Sequence, residues 1–332
     1  MSELRLNIIT KDWVVICPER AARPSSFVQP KVRPSLPVHH PDCPFCPGNE
    51  HLAEEEIFRV PPPEQGPWRT RVIANRYAAL SPKSPLGATH AGLRHRVSGF
   101  GIHEVVVDTP RHDLPAAQQQ PDQLEALVET YRARYRACRA DPRIAHVVIF
   151  KNHGLGAGTS IIHPHSQMVA TPVVSYQVRD RIRTLQDHHA LYGECVLCRM
   201  IAEEIEDGSR VVEVSPTFVA VIPYAALSSY HLWIFPRRHM ASFAELRDDE
   251  IAPLAATLRS VLLRLELGLG DPDYNYVIRS APSSCAPEEF HWYISIVPRL
   301  ARTAGFELGS GMYVNDSYPE VSAEFLRSVA IP

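Results

Sequence analysis

The chain has 332 residues, of which 45% are hydrophobic and 21% charged, and a formal net charge of −3. That is apolar content and length for one large domain or two fused ones, with no charge excess to draw in nucleic acid. No apolar run reaches transmembrane length, and Met1-Ser2-Glu3-Leu4-Arg5 lacks the basic and apolar stretches of a secretory signal, so a cytoplasmic protein without a membrane partner is expected.

Residues 18–65 are rich in proline and poor in periodicity, and read as a loop-rich arm carrying Cys43-Pro-Phe-Cys46. Beyond it the chain repeats itself at half-chain size. The first half continues with Asn75-Arg-Tyr-Ala-Ala-Leu80, then His103-Glu-Val-Val-Val-Asp-Thr-Pro-Arg-His112, a helical stretch, and His163-Pro-His165. The second half runs Cys195-Val-Leu-Cys198, Pro223-Tyr-Ala-Ala-Leu227, His231-Leu-Trp-Ile-Phe-Pro-Arg-Arg-His239, a helical stretch, and His291-Trp-Tyr293. His112 and His163 are 51 residues apart; His239 and His291 are 52 apart.

Between Pro121 and Arg139, Leu124, Leu127, Val128, Tyr131 and Tyr135 recur at helical spacing, with Asp122 as the expected N-cap. The counterpart helix is expected over 249–266. Each helix lies between β-like runs: Val105-Val106-Val107 and His146-Val-Val-Ile-Phe150, then Leu232-Trp-Ile-Phe235 and Tyr274-Asn-Tyr-Val-Ile278. Strands, one long helix and more strands make an α+β unit with mainly antiparallel strands. Two such units, 1–175 and 176–332, are the expected domains.

Seven cysteines, four of them in two Cys-x-x-Cys pairs, favour metal over disulfide in a chain of this size. Zinc asks for four tetrahedral ligands, and the repeat supplies them. Cys43, Cys46, His112 and His163 are assigned to one site, and Cys195, Cys198, His239 and His291 to the other. Four protein ligands at each imply closed, structural sites. Iron is the alternative ion in the second. Cys17, Cys138 and Cys285 read as small buried apolar residues.

Asn152-His-Gly-Leu-Gly-Ala-Gly158-Thr159-Ser160 reads as a turn whose N–H groups and hydroxyls face a phosphate. In an extended strand, His163, His165 and Gln167 would share one face. A neutral imidazole attacks phosphorus well and leaves well, provided one nitrogen is fixed by an acceptor. His165 is the expected nucleophile. Gln167, as a donor to the phosphoryl oxygens, and Ser160 are its expected partners.

The chain resembles the galactose-1-phosphate uridylyltransferase family of the histidine-triad superfamily over nearly its whole length. The likeness rests on Trp13-Val-Val-Ile16, Arg20 and Arg23, Cys-Pro-Phe-Cys, the Asn75 segment, Gly158-Thr-Ser and His163-Pro-His-Ser-Gln167. It implies two fused histidine-triad half-units, a homodimer, and a nucleotide sugar whose α-phosphorus is attacked by His165. Hexose 1-phosphate would leave, and a second phosphorylated acceptor would take the nucleotidyl group in ping-pong order. Asn75, Arg76 and Tyr77 match the family's nucleoside-contacting segment. Asn152, Gly158, Thr159, Ser160 and Gln167 match its phosphate contacts, and Arg20 and Arg23 match residues near the sugar phosphate. Tyr293 stands where a second nucleophile would be, which implies a catalytically degenerate second half.

At the C-terminal end the galactose-binding pattern Lys-Phe-x-x-Gly-Tyr-Glu is replaced by Gly305-Phe-Glu-Leu-Gly-Ser-Gly311. That run looks like the ADP-glucose phosphorylase relatives, in which inorganic phosphate is the acceptor. The sequence thus leaves two transferase readings, uridylyl transfer between sugar phosphates and adenylyl-sugar phosphorolysis. A reading of another class is a zinc-stabilised nucleotide-binding protein without turnover. Hydrolysis is disfavoured, because Gln167 cannot shuttle a proton to water.

Overall fold

A computed structural model describes residues 1–20, 35–301 and 304–332. The first half contains strands β1 (Glu3–Leu6), β2 (Trp13–Ile16), β3 (Glu56–Val60), β4 (Thr70–Ala74), β5 (Ala88–Ala91), β6 (Arg94–Val97) and β7 (Ile102–Val107). Helix α1 (Pro121–Arg139) follows, then β8 (His146–His153) and β9 (His165–Thr171). Next come helices α2 (Tyr176–Tyr192) and α3 (Val196–Asp207), then β10 (Val211–Val214), β11 (Phe218–Val221) and β12 (Leu232–Pro236). Helix α4 (Ile251–Leu269), β13 (Tyr274–Arg279), β14 (Tyr293–Pro298), α5 (Gly305–Ser310), β15 (Tyr313–Asn315) and α6 (Pro319–Ser328) complete the chain.

Ten strands form one sheet in the order β10-β11-β12-β14-β13-β8-β9-β7-β4-β3. Its neighbouring strands pair antiparallel. The arrangement is a repeat: β3-β4-β7-β9-β8 on one side answers β10-β11-β12-β14-β13 on the other. The join is β8 against β13, in register from Tyr274↔His153 to Ile278↔Ile149. This is the α+β architecture expected, with antiparallel strands and a long helix, α1 or α4, between strands of each half; α2 and α3 are additional to that unit.

The two long helices pack against each other under one core. α1 buries Leu124, Leu127, Val128, Tyr131 and Tyr135, and α4 buries Leu254, Leu258, Val261, Leu262 and Leu265. Each such side chain contributes about 1.5–3 kcal/mol on leaving water. α1 spans the residues its periodicity indicates, but Asp122 lies inside the first turn: Gln120 is the N-cap and Pro121 opens the helix. α4 runs Ile251–Leu269, a shift of two to three residues, and ends at Gly270 in the left-handed region (φ 70°).

The proline-rich arm is less irregular than its composition indicates, because Glu56–Val60 pairs with β4 as an edge strand of the large sheet. β15 pairs in parallel with β2, tying the C-terminal region to the N-terminal strands. Among the described residues no helix is long and apolar enough to cross a membrane.

Candidate active site and metal clusters

β9 starts at His165, and the preceding segment is stitched to the end of β7. Asp108 N–H donates to the Pro164 carbonyl at 3.1 Å, and His163 Nε2–H donates to the Thr109 carbonyl at 2.8 Å. That bond directs the other nitrogen of His163 toward the cysteines; His163 precedes β9, which opens at His165, and the two line one cavity. His163 Nδ1 stands 3.7 Å from Cys43 Sγ and 3.6 Å from Cys46 Sγ, and His112 Nδ1 is 3.5 Å from Cys46 Sγ. A sulfur and a nitrogen on one tetrahedral zinc are separated by about 3.5 Å, so the buried set fits such an ion.

The second set is looser. Ligand atoms of Cys195, Cys198 and His239 lie within 4.8 Å of one another. Cys195 caps α3 and Cys198 lies in its first turn. His239 Nε2–H donates to the Pro287 carbonyl at 2.9 Å, leaving Nδ1 3.1 Å from Cys198 Sγ. His291 Nδ1 is 3.2 Å from the same sulfur but falls outside the mutually close set. Of the unpaired cysteines, Cys138 is fully buried, whereas Cys17 and Cys285 are half-buried.

His165 sits directly beside the first cluster. Its Nδ1–H donates to the His163 carbonyl at 2.9 Å, which commits that nitrogen and leaves Nε2 as the lone-pair nitrogen. Phe45, between the two cysteines, packs against the ring with centroids 5.4 Å apart. Burial holds the imidazole below its ordinary pKa, and hence neutral. The ring is 7% exposed and lines two cavities of about 230 and 280 Å³.

The larger of these is walled by Asn75, Arg76, Tyr77, Ser160 and Gln167. Tyr77 is 87% exposed, and Arg76 is tied to Glu54 at 2.8 Å on its rim. Asn75 accepts from Tyr77 N–H at 2.8 Å. The smaller cavity contains Asn152 and Thr159. Asn152 Oδ1 accepts from Asn275 Nδ2 at 2.8 Å, so its NH2 group is the donor left for the cleft. Arg20 lies in the turn Pro18–Arg20, but its side chain and all of Arg23 are outside the described residues.

The glycine turn differs from expectation. Ala157, Gly158 and Thr159 N–H groups donate back to Gly154 or Leu155 carbonyls, and Gly156 N–H donates to Asp273 Oδ2 at 2.7 Å. A Cβ on Gly154 would lie 1.8 Å from Asp273 Oδ1, and one on Gly156 2.5 Å from Oδ2. These two glycines therefore make room for a carboxylate of the protein itself. The Thr159 hydroxyl donates to the Ile161 carbonyl at 3.0 Å. Exposed Ser160 remains at the cavity wall.

Sequence reasoning missed three further residues. Ala79 N–H donates to His103 Nδ1 at 3.0 Å, so His103 Nε2 carries the proton and donates to Gln167 Oε1 at 2.9 Å. The NH2 group of Gln167 is thereby turned to donate. The repeat held the signal, since His231 is 2.9 Å from Ser295 Oγ at the matching place. Behind β9, Lys151 and Asp108 form a buried ion pair; Lys151 Nζ also donates to the His165 carbonyl at 3.1 Å, and Ser166 Oγ to Asp108 at 2.9 Å.

Known proteins resemble this arrangement throughout the chain. The sequence profile described as galactose-1-phosphate uridyl transferase, N-terminal domain, matches residues 1–175. ADP-glucose phosphorylase of Arabidopsis thaliana is 35% identical over 335 residues, covering 99% of this chain and 93% of that protein. Galactose-1-phosphate uridylyltransferase of Thermotoga maritima is 26% identical over 342 residues, covering 100% and 99%. The crystal structure of the Arabidopsis thaliana ADP-glucose phosphorylase with bound ADP-glucose matches with a TM-score of 0.85 at 33% identity, over 100% of both chains. The conclusion is that this chain belongs to the galactose-1-phosphate uridylyltransferase family.

Proposed function

We propose that the protein is a nucleotidyltransferase that moves a nucleoside monophosphate from a nucleotide sugar to a hexose 1-phosphate, as a UDP-glucose–hexose-1-phosphate uridylyltransferase of galactose metabolism does. The observation that carries this reading is the bond from His165 Nδ1–H to the His163 carbonyl, which leaves Nε2 as the nucleophile. Nε2 forms a bond to the α-phosphorus while the bridging P–O bond breaks, and hexose 1-phosphate departs with that electron pair. An acceptor phosphate oxygen then attacks the same phosphorus, the P–N bond breaks, and the neutral imidazole returns.

Gln167 and Asn152 donate to the phosphoryl oxygens as charge builds, with Ser160, Thr159 and Gly158 nearby. Asn75, Arg76 and Tyr77 hold the nucleoside, and Arg20 and Arg23 the sugar phosphate. Residues 1–175 carry the chemistry; residues 176–332, with Tyr293 in the nucleophile's place, are degenerate. Zn2+ on Cys43, Cys46, His112 and His163 fixes the strand entry to His165. Cys195, Cys198 and His239, with His291 as fourth ligand, hold a second zinc or iron. The assembly is a cytoplasmic homodimer.

A second reading is favoured by two observations, the 35% identity to an ADP-glucose phosphorylase against 26% to a uridylyltransferase, and the Gly305–Gly311 run. Here the nucleotidyl group is adenylyl and the acceptor is inorganic phosphate. UDP-glucose and ADP-glucose labelled at the α-phosphate test both. Acid-labile label on the wild type and none on His165→Gly is the expected result; label kept by the variant, or absent from the wild type, removes the covalent mechanism. Discharge by galactose 1-phosphate assigns the transferase, and discharge by phosphate after loading from ADP-glucose assigns the phosphorylase.

A further inference from the structure

The sheet face that carries His165 continues across the join between halves. Gln167 lies opposite Phe150, and Phe150 opposite Val277. Arg279 is two residues on from Val277, so it shares that face, and it pairs with Tyr293, the counterpart of His165. α2 roofs this part of the sheet and encloses a cavity of about 350 Å³ between them.

Two arginines line that cavity, Arg279 from the sheet and Arg181 from α2. Among the described residues neither side chain has an ion pair or hydrogen bond, and no Asp or Glu lines the space. Burial lowers the Arg279 pKa; the neighbouring Tyr293 works against that shift, and the charge of Arg181 adds to it. Two like charges facing one sheltered space repel, and an anion between them relieves both. The deeper walls are apolar and aromatic, with Leu185, Phe290 and Tyr293 all buried. At the mouth, α2 begins at its N-cap Ser175, where the free N–H groups also favour negative charge.

We propose that this cavity is a second ligand site, which binds a phosphomonoester with a planar or apolar body. The phosphate lies between Arg181 and Arg279, and the body lies against Phe290, Leu185 and Tyr293. Binding there needs no chemistry at His165 and stands apart from the transfer reaction.

Equilibrium dialysis of the full chain against labelled AMP and against labelled inorganic phosphate tests it. The wild type should hold one more equivalent of AMP per chain than Arg181→Gln/Arg279→Gln, with His165 loading from nucleotide sugar equal in the two proteins. Val178→Trp, which fills the cavity from the roof and keeps both charges, should lose the same equivalent. AMP should bind the site about tenfold more tightly than phosphate because of its apolar walls. Equal AMP counts in wild type and variants, or a lost equivalent that disappears only together with His165 loading, would overturn the proposal. Equal affinity for AMP and phosphate would overturn the assigned body.

Discussion

His103 holds Gln167 by its carbonyl oxygen: His103 Nε2 is 2.9 Å from Gln167 Oε1, and Ala79 N–H fixes the tautomer from the far side of the ring. A carboxamide free to flip would present oxygen to the phosphoryl group half of the time. His103→Ala should lower the rate of nucleotide loading by about tenfold, the worth of one hydrogen bond, with little change in substrate KM. Gln167→Ala should cost about a hundredfold or more, since the donor itself is lost. Single-turnover loading beside steady-state KM measures the split. A His103→Ala effect confined to KM would refute the orienting role.

The ion pair of Lys151 and Asp108 is buried and also holds the His165 carbonyl and the Ser166 hydroxyl. Lys151→Met leaves a buried carboxylate without its cation and should destabilise the fold by about 3–5 kcal/mol. Adding Asp108→Asn should recover part of that loss. Urea unfolding of the two single variants and the double variant gives the coupling directly; strict additivity would mean that the pair does not act as a unit.

The unequal metal clusters should behave unequally. Dialysis against a chelator should empty the three-residue set of Cys195, Cys198 and His239 before the buried four-residue set. Cys46→Ala should lose one equivalent of metal and slow His165 loading by about 10–100-fold, because Phe45 and the His163 carbonyl both orient that ring. Cys195→Ala should lose an equivalent and keep its loading rate. Metal analysis by mass spectrometry alongside single-turnover loading compares the two.

Gly154 has φ 83° and Asp273 pressed against it. Gly154→Ala should therefore destabilise by well over ~1 kcal/mol, through both backbone strain and the clash. Gly158→Ala has φ 90° and open space, so strain alone remains and the loss should be smaller. Thermal unfolding of both variants ranks them; equal losses would show that the approach of Asp273 does not matter.

What the sequence revealed was whatever repeats or has a period. The Tyr-Ala-Ala-Leu pair and the matched histidines located His112 and His163, although these meet Cys46 from 66 and 117 residues away. Helical spacing located the body of α1, though not its cap, and short β-like runs placed β7, β8, β12 and β13. The rest depends on single long-range encounters that leave no pattern. Asp273 reaches Gly156 across 117 residues, and Lys151 reaches Asp108 across 43. Three glycines in a row of alternate positions look alike whether the anion they accommodate is a ligand or the chain's own carboxylate. Helix α2 leaves little trace in the sequence because it buries only Ile182 and Leu185; α3 does carry an apolar stripe, Val196, Leu197 and Ile201, but it opens on the Cys-x-x-Cys pair, which reads first as a metal motif.

The pairing of β8 with β13 also bears on how this chain tolerates being cut. A half expressed by itself would bare a long central strand, with its row of unsatisfied N–H and C=O groups, where the other half belongs. Such a fragment would recruit whatever strand it met, most readily another copy of itself. Gene fission between the halves could then yield a working enzyme only if both pieces were made together, and a truncated product would end in aggregation instead of a smaller transferase.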